Sequence, residues 1–281
     1  MITIARLTIG EAARRRVLWV LVALAIGSVV LVAWGVDRLV AAIRDQDQAD
    51  LQVKIVVSQI LIFIAFMFTF VLAMTAAFLG SPAIAADLES GIAQAMLARP
   101  LRRSSYLLGR WLGLSIVVAG YAILSGLLAI EAAAFVSGYT PPNLILPIGY
   151  LAYQGILLMT LALALSTRLA PIAGGAICVV AYGLAWMSGV LGDIGVALHA
   201  DGVALIGDIG RVVLPTDGLW RGVVFGLEPS FVISEIGGTD AARSNPFFAA
   251  EPPSQAFLAW AVVWLALVLL VAINQLRKRE L

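Results

Sequence analysis

Long apolar runs alternate with short polar segments along the chain. Six runs are nearly free of charge, and each has about the 20 residues that a helix needs to cross the hydrocarbon core. They cover 17–36, 55–79, 111–136, 144–165, 171–191 and 256–276. The second run continues to Ala86, but Gly80, Ser81 and Pro82 offer a place for one helix to end and another to begin. The pattern predicts an all-α polytopic membrane protein with six transmembrane helices, forming a single domain over 1–281.

The lysines and arginines indicate an orientation. If both chain ends lie on the cytoplasmic side, the segments on that side hold twelve of the 18 basic residues. The six others are Arg38, Arg44, Lys54, Arg211, Arg221 and Arg243. An even number of spans also places both termini on one side, and both are rich in arginine. We therefore predict a topology with N and C termini inside.

Two segments outside the spans have amphipathic patterns. Residues 1–16 are predicted to form an interfacial helix, with one face made of Ile2, Ala5, Ile9, Ala12 and Ala13. The outer segment 192–255 is predicted to contain two short helices with apolar stripes. The first stripe is Leu205, Ile206, Ile209, Val212 and Val213, and the second is Leu219, Trp220, Val223, Val224 and Leu227. These helices lie at the outer membrane surface or pack as a cap on the bundle.

The inventory of reactive residues argues against an enzyme. Hydrophobic residues make up 62% of the chain and charged residues 12%, which is too apolar for an ordinary soluble domain. One cysteine, Cys178, and one histidine, His199, cannot build a disulfide framework or a His/Cys metal cluster. Neither Lys54 nor Lys278 stands in a phosphate-binding loop motif. We predict no catalytic residue, no metal site and no nucleic-acid partner.

A polar island at 87–110 separates the second and third runs. It predicts a short amphipathic helix over 87–99, capped by Asp87, with Leu88, Ile92, Ala95 and Met96 on one side. Pro100 ends this helix, because proline disfavours helical geometry at the residue before it. Arg102 and Arg103 follow, and Ser104 or Ser105 is predicted to cap the next span. A helix too short to span would lie on the membrane surface and offer an apolar knob to a cytoplasmic partner.

The island resembles the signature of ABC-2 type transporter permeases. The resemblance lies in Glu89-Ser90-Gly91, then Met96-Leu97-Ala98-Arg99-Pro100-Leu101-Arg102-Arg103, then Tyr106-Leu107-Leu108-Gly109-Arg110-Trp111-Leu112-Gly113. The basic N-terminal segment and residues 214–221 are also similar to that family, particularly to six-span permeases like the one that serves nitrous oxide reductase maturation. Ile92 stands where threonine is usual, and Arg110 where lysine is usual.

The resemblance implies a half-transporter that works with other chains. Two cytoplasmic ATP-binding subunits would bind ATP and Mg²⁺, so this chain would need no cofactor, and a second permease copy would complete a homodimer or a paralogous heterodimer. The unit would lie in the cytoplasmic membrane of a bacterium or archaeon and act as an exporter. The coupling residues would be Asp87, Leu88, Glu89, Ser90, Gly91, Ile92, Met96, Arg99, Pro100, Arg102 and Arg103. The alternative for the arginines is plain positive-inside anchoring.

A few residues within the spans are candidates for transport. Glu131 is the one ionisable residue within the apolar runs, near the outer end of the third, so it has either a transport role or an interfacial position. The resemblance implies that the second and fifth spans border the translocation path. The corresponding residues are Phe63, Phe66, Met67, Phe70, Met74, Tyr182 and Trp186. Packing or lipid contact explains them equally well, and the two methionines would also suit copper.

Two other classes of function remain open from the sequence. An ion-coupled secondary carrier would work without a nucleotide-binding partner. A non-transporting membrane assembly factor would show no substrate-stimulated ATP hydrolysis in its complex.

Overall fold

The structure is a computed structural model that describes residues 1–14, 16–43, 49–91, 102–237, 239, 242 and 244–279. Its regular secondary structure in these ranges is helical. The helices are α1 (Ile2–Arg14), α2 (Arg16–Ile43), α3 (Ala49–Gly80), α4 (Pro82–Glu89), α5 (Arg103–Ser137), α6 (Ile145–Ser166), α7 (Pro171–Ala197), α8 (Asp201–Val213), α9 (Thr216–Leu227), α10 (Ser230–Ile236) and α11 (Gln255–Arg277).

Within the described residues, six stretches of helix are long and apolar enough to cross a membrane, as the sequence predicts. They belong to α2, α3 continued into α4, α5, α6, α7 and α11. Several of these helices extend beyond the charge-free runs and include charged residues near their ends. α5 thus includes Arg110, and α7 includes Asp193. The chain is an all-α multi-pass membrane protein.

Helix α6 is the centre of the bundle. It contacts α3, α4, α5, α7, α9 and α11, and Leu157, Met159 and Leu163 in its middle are fully buried. Its neighbours include α9, a helix too short to span, whose residues are almost all buried. Of the 22 residues of α6, 14 are therefore buried, most of them in its middle and C-terminal half.

The predicted break after the second run is present. α3 ends at Gly80, and α4 begins at Pro82, in the first-turn position that tolerates a missing N–H. The Ser81 amide still donates to the Ala77 carbonyl at 2.9 Å, so the chain continues in nearly the same direction. A Cβ on Gly80 would lie 2.8 Å from that of Ala162, which shows how closely the break packs on α6.

The predicted N-terminal helix is present as α1, and part of its predicted apolar face packs on α5. Its buried residues are Ile4, Ala5, Thr8 and Ala12, which pack against α5, while Ile2 is 80% exposed. Of the predicted apolar face, Ala5 and Ala12 lie in this contact, whereas Ile2 and Ala13 are exposed, and the position of α1 at the membrane surface stays a prediction.

The outer segment contains the two predicted short helices, and they differ in surroundings. α8 packs against α7, with Gly192 and Gly207 in backbone contact, and its apolar stripe stays exposed. α9 packs against α3, α6 and α7 and is buried. For α9 the cap on the bundle is the correct alternative.

Candidate functional site

A buried ionic network connects the two helices that flank the polar island. The Asp87 carboxylate on α4 pairs with the Arg110 guanidinium on α5 and accepts a hydrogen bond from the Tyr106 hydroxyl. Only 10% of each charged side chain is exposed, and Tyr106 is fully buried. Arg110 also pairs with Glu11 of α1 at 2.5 Å. The network therefore joins α1, α4 and α5 through one guanidinium group, and we name it the Arg110 network.

The role of Asp87 differs from the predicted one. The sequence predicts that Asp87 caps a helix starting at Leu88, but Asp87 lies inside α4, which ends at Glu89. Gly91 has a φ of 75°, in the left-handed region that glycine adopts without strain, so the helical path stops there. The predicted cap is wrong because the buried Arg110 guanidinium, rather than a helix N-terminus, neutralises this carboxylate.

The other predicted coupling residues fall into three groups. Leu88 is half-buried against the core, whereas Glu89 and Ser90 are exposed at the end of α4. Arg102 is exposed and occupies the N-cap position of α5, so neither Ser104 nor Ser105 caps that helix as predicted. The remaining ones, Ile92, Met96, Arg99 and Pro100, lie outside the described residues.

Arg103 connects the island to the last span. Its Nη1 atom donates to the carbonyl oxygens of Leu276, Arg277 and Arg279, at 3.2, 3.0 and 2.7 Å. A guanidinium at a helix C-terminus satisfies carbonyl groups that have no partner within the helix and has the favourable sign for the helix dipole. The C-terminus of α11 is thus held at the start of α5.

Two glycines of the island signature, Gly109 and Gly113, are in close contact with α1. A Cβ on Gly109 would lie 2.7 Å from the Ile4 Cβ, and one on Gly113 would lie 2.7 Å from the Ala5 carbonyl oxygen. The spacing of four residues puts both glycines on one face of α5, where they let the backbone of α1 approach. The signature glycines are therefore the docking surface for the N-terminal helix.

These contacts place four parts of the chain at one end of the bundle. The Arg110 network brings α1 to the flanks of the island, and Arg103 brings the end of α11 there. The Arg279 side chain also donates to the Thr167 carbonyl at the end of α6, at 2.5 Å. The two chain ends thus share one side, as predicted, together with the island and the α6–α7 turn.

The predicted translocation residues divide between a surface and the interior. Phe63, Met67 and Phe70 are 55%, 41% and 48% exposed and form an outward stripe on α3, while Met74 is half-buried. Phe66, at the edge of this stripe, packs on Trp186 and Trp220 with ring centroids 5.3 and 5.6 Å apart.

Tyr182 does not belong to that surface. It is buried, its hydroxyl donates to Thr69 Oγ1 at 3.1 Å, and the hydroxyl accepts from Gln154 Nε2 at 3.4 Å. Its polar group thus has the partners that α3 and α6 supply inside the bundle, and its place along the translocation path stays a prediction.

Glu131 is exposed on α5 near its end at Ser137, a position consistent with the predicted interfacial one. Among the described residues no group of three or more His, Cys, Asp or Glu side chains could hold a metal ion.

A second ionic cluster lies at the opposite end and was not predicted as a site. Arg211 pairs with Asp193 at 3.0 Å and with Asp217 at 3.1 Å, and Arg221 pairs with both of these acids. Asp193, Arg211 and Arg221 also line a cavity of about 340 Å³. Burial lowers the pKa of Arg221 to about 10 and raises the pKa of Asp217, which the Arg211 charge partly offsets.

Glu228 has a buried carboxyl group and directly follows α9, the helix that carries Asp217 and Arg221. It is 1% exposed and accepts from Gln59 Nε2 on α3 at 3.1 Å, and the neighbouring Leu227 carbonyl accepts from the Tyr139 hydroxyl. Burial raises the pKa of Glu228 from 4.5 to about 7, with a smaller opposing effect of the Gln59 hydrogen bond.

Glu228 should make the stability of the protein depend on pH. Below pH 4.5 the group is protonated in both folded and unfolded chains, so its burial carries no charge penalty. As the pH rises to about 7 the unfolded chain ionises first, and the fold should lose roughly 3 kcal/mol. Thermal unfolding between pH 4 and 8 should show this loss, and Glu228→Gln should remove it. An unchanged pH profile in Glu228→Gln, or the same effect from the exposed control Glu251→Gln, would contradict the assignment.

Comparison with known proteins identifies the family. Residues 2–208 match a family model described as ABC-2 family transporter protein. The matched range includes α1, the island and both ends of the Arg110 network, and it ends within α8. No curated protein matches the chain. The family match confirms the resemblance of the island to ABC-2 type permeases.

Proposed function

Because the chain belongs to the ABC-2 transporter family and is therefore a permease component of an ABC transporter, we propose that a separate cytoplasmic ATPase drives it through the island between α4 and α5. The observation that carries this proposal is the Arg110 network. It joins the helices on both sides of the island to α1, so a displacement of the island would move three helices together. Arg103 extends the same connection to the end of α11.

The proposed working unit contains two permease copies and two ATPase subunits. ATP and Mg²⁺ bind to the ATPases, and this chain converts their closure into export across the cytoplasmic membrane of a bacterium or archaeon. In this unit the outward stripe of Phe63, Met67 and Phe70 is the surface that we assign to the second copy, because an exposed apolar face within a span is able to pack against another helix. Phe66, Met74 and Trp186 border this stripe, and we place them along the translocation path.

The exposed end of α4 offers a direct test. We expect Glu89→Lys to abolish co-purification with the cytoplasmic ATPase subunit that is expressed with the permease. Glu89 projects from the helix that leads into the island, and its reversal would repel a complementary basic group. Membrane insertion should be unchanged, because Glu89 is exposed and lies outside the Arg110 network. The measurement is the yield of ATPase recovered with tagged permease.

Glu235→Lys is the matched control for Glu89→Lys. It makes the same charge change at an exposed position of α10, in the outer segment, and should leave ATPase recovery at the wild-type level. Wild-type recovery with Glu89→Lys would count against the island as the docking element. An ion-coupled carrier would instead recover no ATPase with any variant and would transport without ATP.

A further inference from the structure

A groove runs between α6 and α11 on the side of the bundle. Its volume is about 360 Å³, and its walls are apolar except at one end. The apolar lining includes Leu161 and Leu165 from α6 and Leu267 and Val271 from α11, and the polar end is formed by Arg168 and Gln275.

The groove extends over half the thickness of a membrane. From Gln275 to Trp264 along α11 the distance is about 16 Å at 1.5 Å per residue, and one leaflet contributes about 15 Å of hydrocarbon. Trp264 closes the other end, because its indole donates to the Val213 carbonyl at the end of α8, at 2.8 Å. A spanning helix of another chain needs twice this length, whereas an acyl chain of one leaflet fits.

Among the residues that the structure describes, the polar end of the groove carries positive charge without a counter-ion. Arg168 is exposed and forms no ion pair with a described residue, and neither α6 nor α11 contains an acid. Arg277 and Lys278 lie at the same end of α11, and Arg103 and Arg279 are engaged with backbone carbonyls there. Gln275 is held in place by Thr167, whose hydroxyl donates to its Oε1 atom at 2.5 Å. Basic pockets between helices at the cytoplasmic interface are suited to anionic lipid headgroups.

We propose that this groove binds one anionic phospholipid from the cytoplasmic leaflet. An acyl chain lies along Leu161, Leu165, Leu267 and Val271 and ends beneath Trp264, and the phosphate pairs with Arg168. The site lies on the flank formed by α6 and α11, away from the outward stripe on α3. The lipid completes the packing between the central helix and the last span.

The experiment measures lipid retention by the purified full-length permease in native mass spectrometry, with phosphatidylglycerol or phosphatidylcholine supplied at equal concentration. One phosphatidylglycerol per chain should be retained in preference to phosphatidylcholine. Arg168→Gln should weaken this retention about fivefold, the contribution expected of one basic side chain at an anionic headgroup. Lys278→Gln removes a charge at the same end without lining the groove and should have a clearly smaller effect.

A second pair of variants tests the acyl-chain site without changing charge. Leu267→Trp fills the groove and should abolish preferential retention, whereas Leu270→Trp, on the same helix and 61% exposed but outside the groove, should preserve it. Equal retention of both lipids by the wild type would overturn the proposal, as would equal effects of Arg168→Gln and Lys278→Gln. If Leu267→Trp instead abolished permease dimers and left lipid retention intact, the lipid proposal would also be overturned. The groove would then be assigned to a contact with a second copy.

Discussion

Arg110→Leu is expected to destabilise the protein by about 3–5 kcal/mol. The substitution leaves the Asp87 carboxylate buried without its cation, and removing one partner of a buried ion pair costs that much in general. Glu11 should contribute little to the loss, because 44% of its side chain is exposed and water can solvate it. Thermal or denaturant unfolding of the purified permease measures the effect. A change below 1 kcal/mol would show that the Arg110 network is not closed in the folded protein.

A triple variant separates the stability of the network from its mechanical role. Asp87→Leu, Tyr106→Phe and Arg110→Leu together remove all three buried polar groups, and such replacements by apolar residues are often neutral for stability. We expect an unfolding free energy within about 2 kcal/mol of wild type, together with loss of substrate-stimulated ATP hydrolysis in the assembled transporter. Full stimulation in the triple variant would contradict the proposal that the network transmits motion from the island.

Gly113→Ala should displace α1 from α5, and this is the second large effect. The new Cβ would lie 2.7 Å from the Ala5 carbonyl oxygen, and a backbone atom cannot move aside without moving its helix. Overpacking of this kind costs roughly 1–3 kcal/mol, and the contact between Arg110 and Glu11 should weaken with it. Hydrogen exchange of residues 2–14 should be faster in the variant than in the wild type.

Gly120→Ala is the control for this prediction. Gly120 lies on the same helix and has no atom within 4 Å of its hypothetical Cβ. Alanine is about 1 kcal/mol better than glycine in a helix interior, so this variant should be unchanged or slightly more stable. If Gly120→Ala also made hydrogen exchange in α1 faster, the effect of Gly113→Ala could not be attributed to its contact with α1.

The spans and the break at Gly80 were predictable because they depend on local properties. Length, hydrophobicity and a proline at a first-turn position act within one segment, and the sequence displays them directly. The buried face of α1 depends instead on Gly109 and Gly113, which are distant in the chain. A pattern of apolar residues in 1–16 cannot indicate which face meets two glycines on another helix. The same limit explains Asp87, whose partner is 23 residues away.

The outer ionic cluster was missed for a related reason. Asp193 lies two residues beyond an apolar run, and Arg211 and Arg221 lie in a segment predicted to be outside the membrane, so each resembles a solvated charge. The close contact of Gly192 with Gly207 folds α8 back along α7, which is how Arg211 reaches Asp193. Tertiary packing of helices, rather than their existence, decides which charges become buried.

The docking of α1 has a consequence for biosynthesis. Glu11 and Arg110 are separated by 99 positions, so α1 leaves the ribosome long before the span that carries its receptor surface. Chains are synthesised from the N-terminus at a finite rate. The nascent α1 therefore stays at the lipid interface, with the face that packs on α5 not yet covered, until the third span has been inserted. The junction between α1 and α5 can therefore form only after the third span has been inserted.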